Sequence, residues 1–313
     1  MSDRLRVAVL AGGWSRERGV SLKSGRAVFE ALDRDKYEVD WFDPRDDLRA
    51  LIEKRAEVDM AFILLHGQLG EDGRMQGMLD ILGIPFVGSG VLSSATAFNK
   101  EMSKAIFRTK RLNVAEEVVL RKGEDAAADR LMARLGSPVV IKPVSEGSSI
   151  GICISDTRQG IEKGLERAFE FSEEVMVEEY VNGREITCCV LGNNRLEVLP
   201  LVEIRPGAEY RFFDYEAKYT PGATQEICPA DIPERLREVV EINGKKAHRL
   251  LRCAVWSRTD MIMRDDKIFI LETNTIPGMT ETSLFPLAAR GAGLSFSALL
   301  DRLITLSLEK DGA

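Results

Sequence analysis

The stretch TDMIMRDDKIFILETNTIPG, residues 259–278, decides the fold. Residues 259–264 and 267–274 are strand-like runs separated by a turn at Asp265-Asp266, so the segment reads as a hairpin. Folding it about that turn sets Asp260 opposite Glu272, to within one residue of register. Side chains two apart on a strand share a face, which aims Glu272 and Asn274 the same way. Two carboxylates and an amide oxygen form a hard-oxygen set suited to Mg²⁺, which takes a few protein oxygens and completes its shell with water and phosphate. The pattern equally fits a solvated hairpin face on which Arg258 or Lys267 neutralises the acids. Facing carboxylates repel unless a cation intervenes, so the reading turns on a source of phosphate.

VVIKPVSEGSSIG, residues 139–151, offers one. Lys142 ends one strand and Ile150 begins the next, with Gly147, Ser148, Ser149 and Gly151 between or beside them. Successive backbone N–H groups in such a turn make an anion-binding concavity. It is neither a Walker A loop nor a dinucleotide fingerprint, because G-x-x-x-x-G-K-[ST] and G-x-G-x-x-G are both missing. A plain glycine-serine hairpin is the competing reading, but a lysine on an otherwise apolar strand needs an anion or a water-filled cleft. MVEEYVNGREI, residues 176–186, adds Glu178, Glu179 and Glu185. Carboxylates can accept from an adenine amino group or from ribose hydroxyls; taken alone, these acids read as surface groups.

Upstream, RVAVLAGG (6–13), YEVDWFD (37–43) and VDMAFILLHG (58–67) are strand-like, and VSLKSGRAVFEALD (20–33) and DGRMQGMLDILG (72–83) helical, with IPFVGSG (84–90) beginning as a short strand. Strand and helix in alternation imply a parallel α/β domain over residues 1–95. A second, α+β unit spans 96–183, and a strand-rich unit spans 184–313 with helical segments at 235–251 and 295–308. Residues 205–230 match neither regular period, and a connection of that length is expected to be an active-site lid. The chain has 313 residues, 44% of them apolar and 30% charged, with net charge −7. That balance argues against a grip on nucleic acid. Five irregularly spaced cysteines, no signal-peptide pattern and no long apolar run imply a cytoplasmic protein outside the membrane.

Five stretches together carry a resemblance: AGGWSRERGVSLKSG (11–25), LLHGQLGEDGRMQGMLDILGIPFVGSG (64–90), VIKPVSEGSSIG (140–151), FDYEAKY (213–219) and the hairpin with its continuation to 286. In order and content the chain resembles the D-alanine–D-alanine ligases of the ATP-grasp superfamily. The resemblance implies an ATP-grasp fold preceded by an N-terminal Rossmann-like, pre-ATP-grasp parallel α/β domain. It implies ATP-dependent joining of two D-alanine molecules through a D-alanyl phosphate, for peptidoglycan precursors, by a homodimer. A related ligase taking another D-amino or hydroxy acid as acceptor is the alternative.

Carried over residue by residue, Asp260, Glu272 and Asn274 would hold two Mg²⁺ ions, or Mn²⁺ in their place. Lys100, Lys142, Lys218 and the turn at Ser148 and Ser149 would meet the ATP phosphates, Glu178 the adenine amino group and Glu185 the ribose. Glu17 would hold the first D-alanine's ammonium, with Arg258 and the backbone near Gly278 about the reacting carboxylate. Ser283 and Leu284 would receive the second D-alanine's carboxylate at a helix N-terminus. Ser148 and Tyr219 would join Glu17 in closing the lid, and His66 would orient phosphate or Glu17. His248 reads as a helix-face residue. Ser257 stands where the family commonly has glycine, next to a bulky Trp256, which implies slight repositioning. Tyr219 favours an amine acceptor over D-lactate.

Overall fold

The computed structural model describes residues 4–124, 126–147, 150–207 and 224–311. The chain opens with an apolar strand, β1 (Leu5–Leu10), that runs into Gly12 and Gly13, both at positive φ. The turn is stitched by side chains: Ser21 Oγ accepts from Gly12 N at 2.8 Å, and Asp43 Oδ1 accepts from Gly13 N at 2.9 Å. α1 (Arg18–Ala31), β2 (Tyr37–Phe42), α2 (Pro44–Glu53) and β3 (Met60–Ile63) follow. Both β2 and β3 pair parallel to β1, giving the order β2-β1-β3. β3 is buried along its whole length, as a strand covered on both faces requires. The short strand expected in IPFVGSG is reduced to a single parallel bridge between Ala61 and Phe86. α3 (Arg74–Leu82), α4 (Val91–Phe98) and α5 (Lys100–Thr109) complete this part.

A four-stranded antiparallel sheet comes next, built from β4 (Glu117–Arg121), β5 (Val139–Pro143), β6 (Cys153–Ser155) and β7 (Glu174–Glu179) in the order β4-β7-β5-β6. α6 (Ala128–Leu135) and α7 (Arg158–Ala168) bury Leu131, Leu135, Ile161 and Leu165 against it. The third sheet holds β8 (Arg184–Leu191), β9 (Glu197–Val198), β10 (Val202–Pro206), β11 (Thr224–Ile227), β12 (Trp256–Arg264) and β13 (Lys267–Asn274). Its order is β11-β10-β8-β12-β13, with β9 paired to β8. The expectation that 205–230 is irregular is corrected at both ends, because Arg205 and Pro206 pair with Gln225 and Thr224. The centre of the expected lid, 208–223, lies outside the described residues.

α8 (Glu234–Leu250) covers one face of the third sheet, with Leu236, Val240 and Ala247 against Ile186, Cys188 and Val190. On the opposite face Cys189, Leu191 and Trp256 share a core with Val7, Val9 and Phe62 of the parallel sheet. Apolar side chains of α9 (Leu284–Gly291) and α10 (Phe296–Asp311) complete that core. Trp256, 1% exposed, meets Phe62 and Phe285 edge-on, with centroids 6.3 and 5.1 Å away. Among the described residues no single helix is long and apolar enough to cross a membrane; α9 and α10 qualify only as a pair, bent by 101°.

Trp256 joins the first sheet to the third, so its loss acts on both. Trp256→Ala is expected to cost about 3–5 kcal/mol of stability, read as a lower unfolding midpoint in denaturant.

Candidate active site

β12 carries a change of character along one face. Trp256, Arg258 and Asp260 alternate outward on it, leading from the shared core into a cleft, while Ser257, Thr259 and Met261 face the other way. The strand partner needs a device to match. β13 pairs Ile270 with Met261 but Glu272 with Asp260, so the register shifts by one and Leu271 is the extra residue. This bulge reverses the alternation: Ile268 and Ile270 point to the α8 core, whereas Glu272 and Asn274 turn to the cleft. The acid–acid–amide set predicted from the hairpin is thereby assembled opposite itself.

Both acids have partners. Asp260, 6% exposed, accepts from Thr187 Oγ1 at 2.6 Å, from Arg258 at 2.8 and 3.0 Å, and from Asn274 Nδ2 at 3.3 Å. Lys100 Nζ lies 3.6 Å from Glu272 and donates to the Glu146 carbonyl at 2.5 Å. The solvated-hairpin reading therefore fails for Asp260, which is buried. Burial lowers the Lys100 pKa while Glu272 pulls it up; Arg258, although buried, is raised by Asp260.

The antiparallel four-stranded sheet forms the opposite wall. Lys142, Glu178 and Glu185 line the same cleft as Lys100, Asp260 and Glu272. The bland reading of Glu178 as a surface acid is corrected: it is 3% exposed, with Lys142 Nζ at 2.7 Å and Lys104 Nζ bonded to its other oxygen. Burial alone would raise its pKa, but the two lysines outweigh it and leave the carboxyl below its ordinary value. Lys104 also meets Glu117, which sits directly across from Glu178 on β4. Sequence reading missed Lys104, though its spacing of four from Lys100 on a helix that buries Phe107 puts the two lysines on one face. Val140, Ile152, Ile154, Ile262 and Leu271 add an apolar flank to the cleft, suited to a flat aromatic base.

Glu17, 4% exposed, lies against Gly67 and Gly147, where a side chain on either glycine would run into its carboxylate. Two further contacts reach from the first part of the chain to the four-stranded-sheet part, one of them at the glycine-serine turn. Gln68 Nε2 donates to Glu146 Oε1 at 2.8 Å, and the Arg16 guanidinium covers the Phe171 ring at 4.5 Å. Glu71, another buried acid that sequence reading passed over, accepts from Gly67 N at 2.7 Å; burial and then the charge of Glu17 push its pKa well up. Gly278 packs against Ser283, whose Oγ accepts from Thr280 N at 3.0 Å and so pins the turn that leads into α9. Ser148, Ser149, Lys218 and Tyr219 lie outside the described residues.

His66 is buried beside this turn, with Nε2 3.3 Å from Ser24 Oγ. His248 does lie on a helix face, but the face is internal: Nδ1 is 2.8 Å from Ser257 Oγ. Ser257 thus has a buried polar partner, and Trp256 is taken up by the core on the other side. Among the described residues no cluster of three or more His, Cys, Asp or Glu side chains forms a metal cage. Asp260, Glu272 and Asn274 nevertheless fit a hard cation that draws its remaining ligands from phosphate and water. Their oxygens share one face and are already surrounded by cationic groups.

Comparison with known proteins covers nearly the whole chain. The family description "D-ala D-ala ligase C-terminus" matches residues 106–305, and "D-ala D-ala ligase N-terminus" matches 43–89. A D-alanine–D-alanine ligase from Syntrophobacter fumaroxidans is 52% identical over 308 residues, covering 98% of this chain and 99% of that one. The corresponding ligase of Desulfotalea psychrophila is 49% identical, with 99% and 97% covered. Among solved structures, a Bacillus anthracis D-alanine–D-alanine ligase complexed with ATP superposes with a TM-score of 0.86 at 37% identity, covering 99% of this chain and all of that one. The VanG D-Ala:D-Ser ligase of Enterococcus faecalis gives 0.82 at 33% identity, covering 97% and 99%.

Both histidine rings are held neutral by burial, each with its pKa pushed down to about 4. Between that value and 6.5 the unfolded chain binds protons that the folded one refuses, so stability is complete above pH 6.5 and falls as pH drops toward 4. Each histidine is expected to contribute on the order of 3 kcal/mol to that loss. Denaturant midpoints measured at intervals from pH 7.5 to 4.5 check it, and His248→Asn should flatten the curve.

Proposed function

We propose roles for the site residues from one premise: the chain belongs to the D-alanine–D-alanine ligase family. It is an ATP-grasp enzyme that uses ATP and Mg²⁺ to join two D-alanine molecules, releasing ADP and phosphate, in the synthesis of peptidoglycan precursors. The observation that carries the assignment of roles is the pairing of Asp260 with Glu272 across the hairpin, in one cleft with Lys100 and Lys142.

In this reading Asp260, Glu272 and Asn274 would hold two Mg²⁺ ions, or Mn²⁺ in their place. Bound there, the metal supplies positive charge at the phosphate oxygens. Lys100 and Lys142 neutralise the triphosphate, with the turn at Ser148 and Ser149 and with Lys218. Glu178 lies near the adenine amino group while fixing Lys142, and Glu185 meets the ribose. Glu17 takes the ammonium of the first D-alanine. A carboxylate is a poor acyl donor because oxide is a prohibitive leaving group. Transfer of the terminal phosphate of ATP to the first D-alanine breaks the bond to ADP and makes an acyl phosphate, which the second amine attacks and from which phosphate departs. Arg258, kept charged by Asp260, and the backbone at Gly278 stabilise oxygen charge during these steps. Ser283 and Leu284 at the start of α9 bind the second carboxylate. His66 orients phosphate or Glu17. Tyr219 and Ser148 join Glu17 when the segment 205–230 closes, keeping water from the acyl phosphate.

We further assign three units, 1–95, 96–183 and 184–313, since each sheet falls within one of them. The need for ATP and five free thiols support a cytoplasmic location. A homodimer is supported by the exposed apolar side chains Ile81, Val91 and Leu92 on neighbouring helices α3 and α4, which a second copy would cover.

ADP release coupled to a spectrophotometric readout, with D-alanine, ATP and Mg²⁺, should rise well above the control without amino acid. D-serine and D-lactate should be poorer acceptors; a preference for either would defeat the D-alanine assignment. Glu272→Ala should lose several kcal/mol of charge stabilisation, roughly a thousandfold in kcat, with an unchanged melting curve. Ile81→Asp should shift sedimentation from dimer to monomer.

A further inference from the structure

We propose that Ser24 is a positioning residue for the ligation, its hydroxyl tying the His66 ring to the backbone amide of Met279 so that both are fixed beside the reacting carboxylate. The proposal rests on the roles assigned above to His66 and to the peptide at Gly278. Ser24 lies inside α1 and is completely buried. A serine in that setting commonly bonds back to its own helix. Here the hydroxyl points out of the helix instead, with His66 Nε2 and Met279 N each 3.3 Å from Oγ. Ser21, one turn earlier, shows what a purely architectural serine does on the same face: it ties Gly12 N at the end of β1 to the Leu64 carbonyl after β3. The partners of Ser24 are different in kind, since one is the site histidine and the other belongs to the turn that follows β13.

The hydrogen-bond inventory then dictates direction. A serine hydroxyl has one proton to give and two lone pairs to receive. Met279 N–H can only donate, so it takes a lone pair of Oγ. The hydroxyl proton has no other acceptor within hydrogen-bond distance among the described residues, so we assign it to the imidazole, which burial holds neutral and therefore with one bare nitrogen. Nε2 is thus the acceptor and the ring proton resides on Nδ1. The ring also lies within hydrogen-bond reach of the Ile276 backbone, so it reaches one side of the Pro277-Gly278 pair directly and the other through Ser24. From its other end the same turn is pinned by Thr280 N and Thr280 Oγ1 on Ser283 Oγ, at 3.0 and 2.8 Å. Ser24 is the tie between α1, which begins just after Glu17, and the backbone proposed to face the developing oxyanion.

The test uses the full chain and four variants: Ser24→Ala, Ser24→Cys, His66→Ala and the Ser24→Ala/His66→Ala double. Ser24→Ala should lower kcat about 10–100-fold while KM for ATP stays within about twofold. Ser24→Cys, similar in shape with a weaker donor, should fall between it and the parent. The chain has two histidines, so ¹⁵N ring spectra with a His248→Asn reference isolate His66, whose pattern should change in Ser24→Ala from a single tautomer to a mixture. If Ser24 acts through His66, the double variant is no slower than His66→Ala alone. Unchanged kcat in Ser24→Ala, unchanged His66 ring resonances, or losses that multiply in the double variant would each overturn the proposal. Full turnover in His66→Ala would instead strike the role assigned to His66. In that case a slow Ser24→Ala with faster amide exchange at Met279 upholds the tie to the turn, and normal exchange there refutes it.

Discussion

One unpaired residue on one strand, Leu271, sets the geometry of this site. Strict alternation along β13 would send Glu272 to the same side as Ile268 and Ile270, into an apolar core where a carboxylate has no partner. The bulge turns the strand's last residues toward the cleft and brings Glu272 across from Asp260. Once two acids face each other in a sheet, the groups that pair with them must be positive or able to donate, as Arg258, Lys100, Thr187 and Asn274 are. The opposite wall repeats the arrangement, with Glu117 facing Glu178 and three cations, Lys104, Arg108 and Lys142, around them. The cleft is thus an alternation of buried acids and bases, able to take a polyphosphate with its metal ions while leaving no buried charge uncompensated.

Each wall comes from a different sheet, so the cleft depends on the packing that holds the sheets together. Sharing of core residues between the parallel sheet and the third sheet makes one rigid side, with Trp256 at its centre. The four-stranded sheet has its own apolar core with α6 and α7. It meets the rest largely through polar groups: Lys100 to Glu146, Gln68 to Glu146, and Lys104 to Glu178. An apolar side and a polar side differ in how they respond to ligand, because a polar seam strengthens when charge is supplied and solvent is excluded.

The hairpin, its turn and the opposition of Asp260 to Glu272 were legible because they depend on strand period and on a two-residue turn, both local properties of the chain. The Gly12-Gly13 turn and the lysine at the end of β5 were legible for the same reason. The bulge was not, since Leu271 carries no glycine or proline to mark it and its cause is the demand of two different faces. Glu178 looked like a surface acid because the lysine that buries it, Lys104, is 74 residues away in sequence. β11 was hidden in a proline-rich segment at the edge of a sheet, where alternation is weakly imposed. The roles of Lys218 and Tyr219 rest on resemblance alone, because they fall in a stretch that matches neither regular period, whereas the turn at Ser148 and Ser149 was legible in its glycine-serine composition.

The contacts of Gln68 with Glu146 and of Arg16 with Phe171, together with Glu17 against Gly147, have a thermodynamic consequence. On the roles proposed above, the pocket for the first amino acid and the cradle for the nucleotide's tail would share a wall. Ordering that wall for either molecule lowers the entropy that the other must surrender on arrival. Heterotropic cooperativity of this kind would be reciprocal, with nucleotide strengthening amino-acid affinity by the same factor as the converse. Saturation by one small molecule would then retune the enzyme's response to the other with no dedicated regulatory domain.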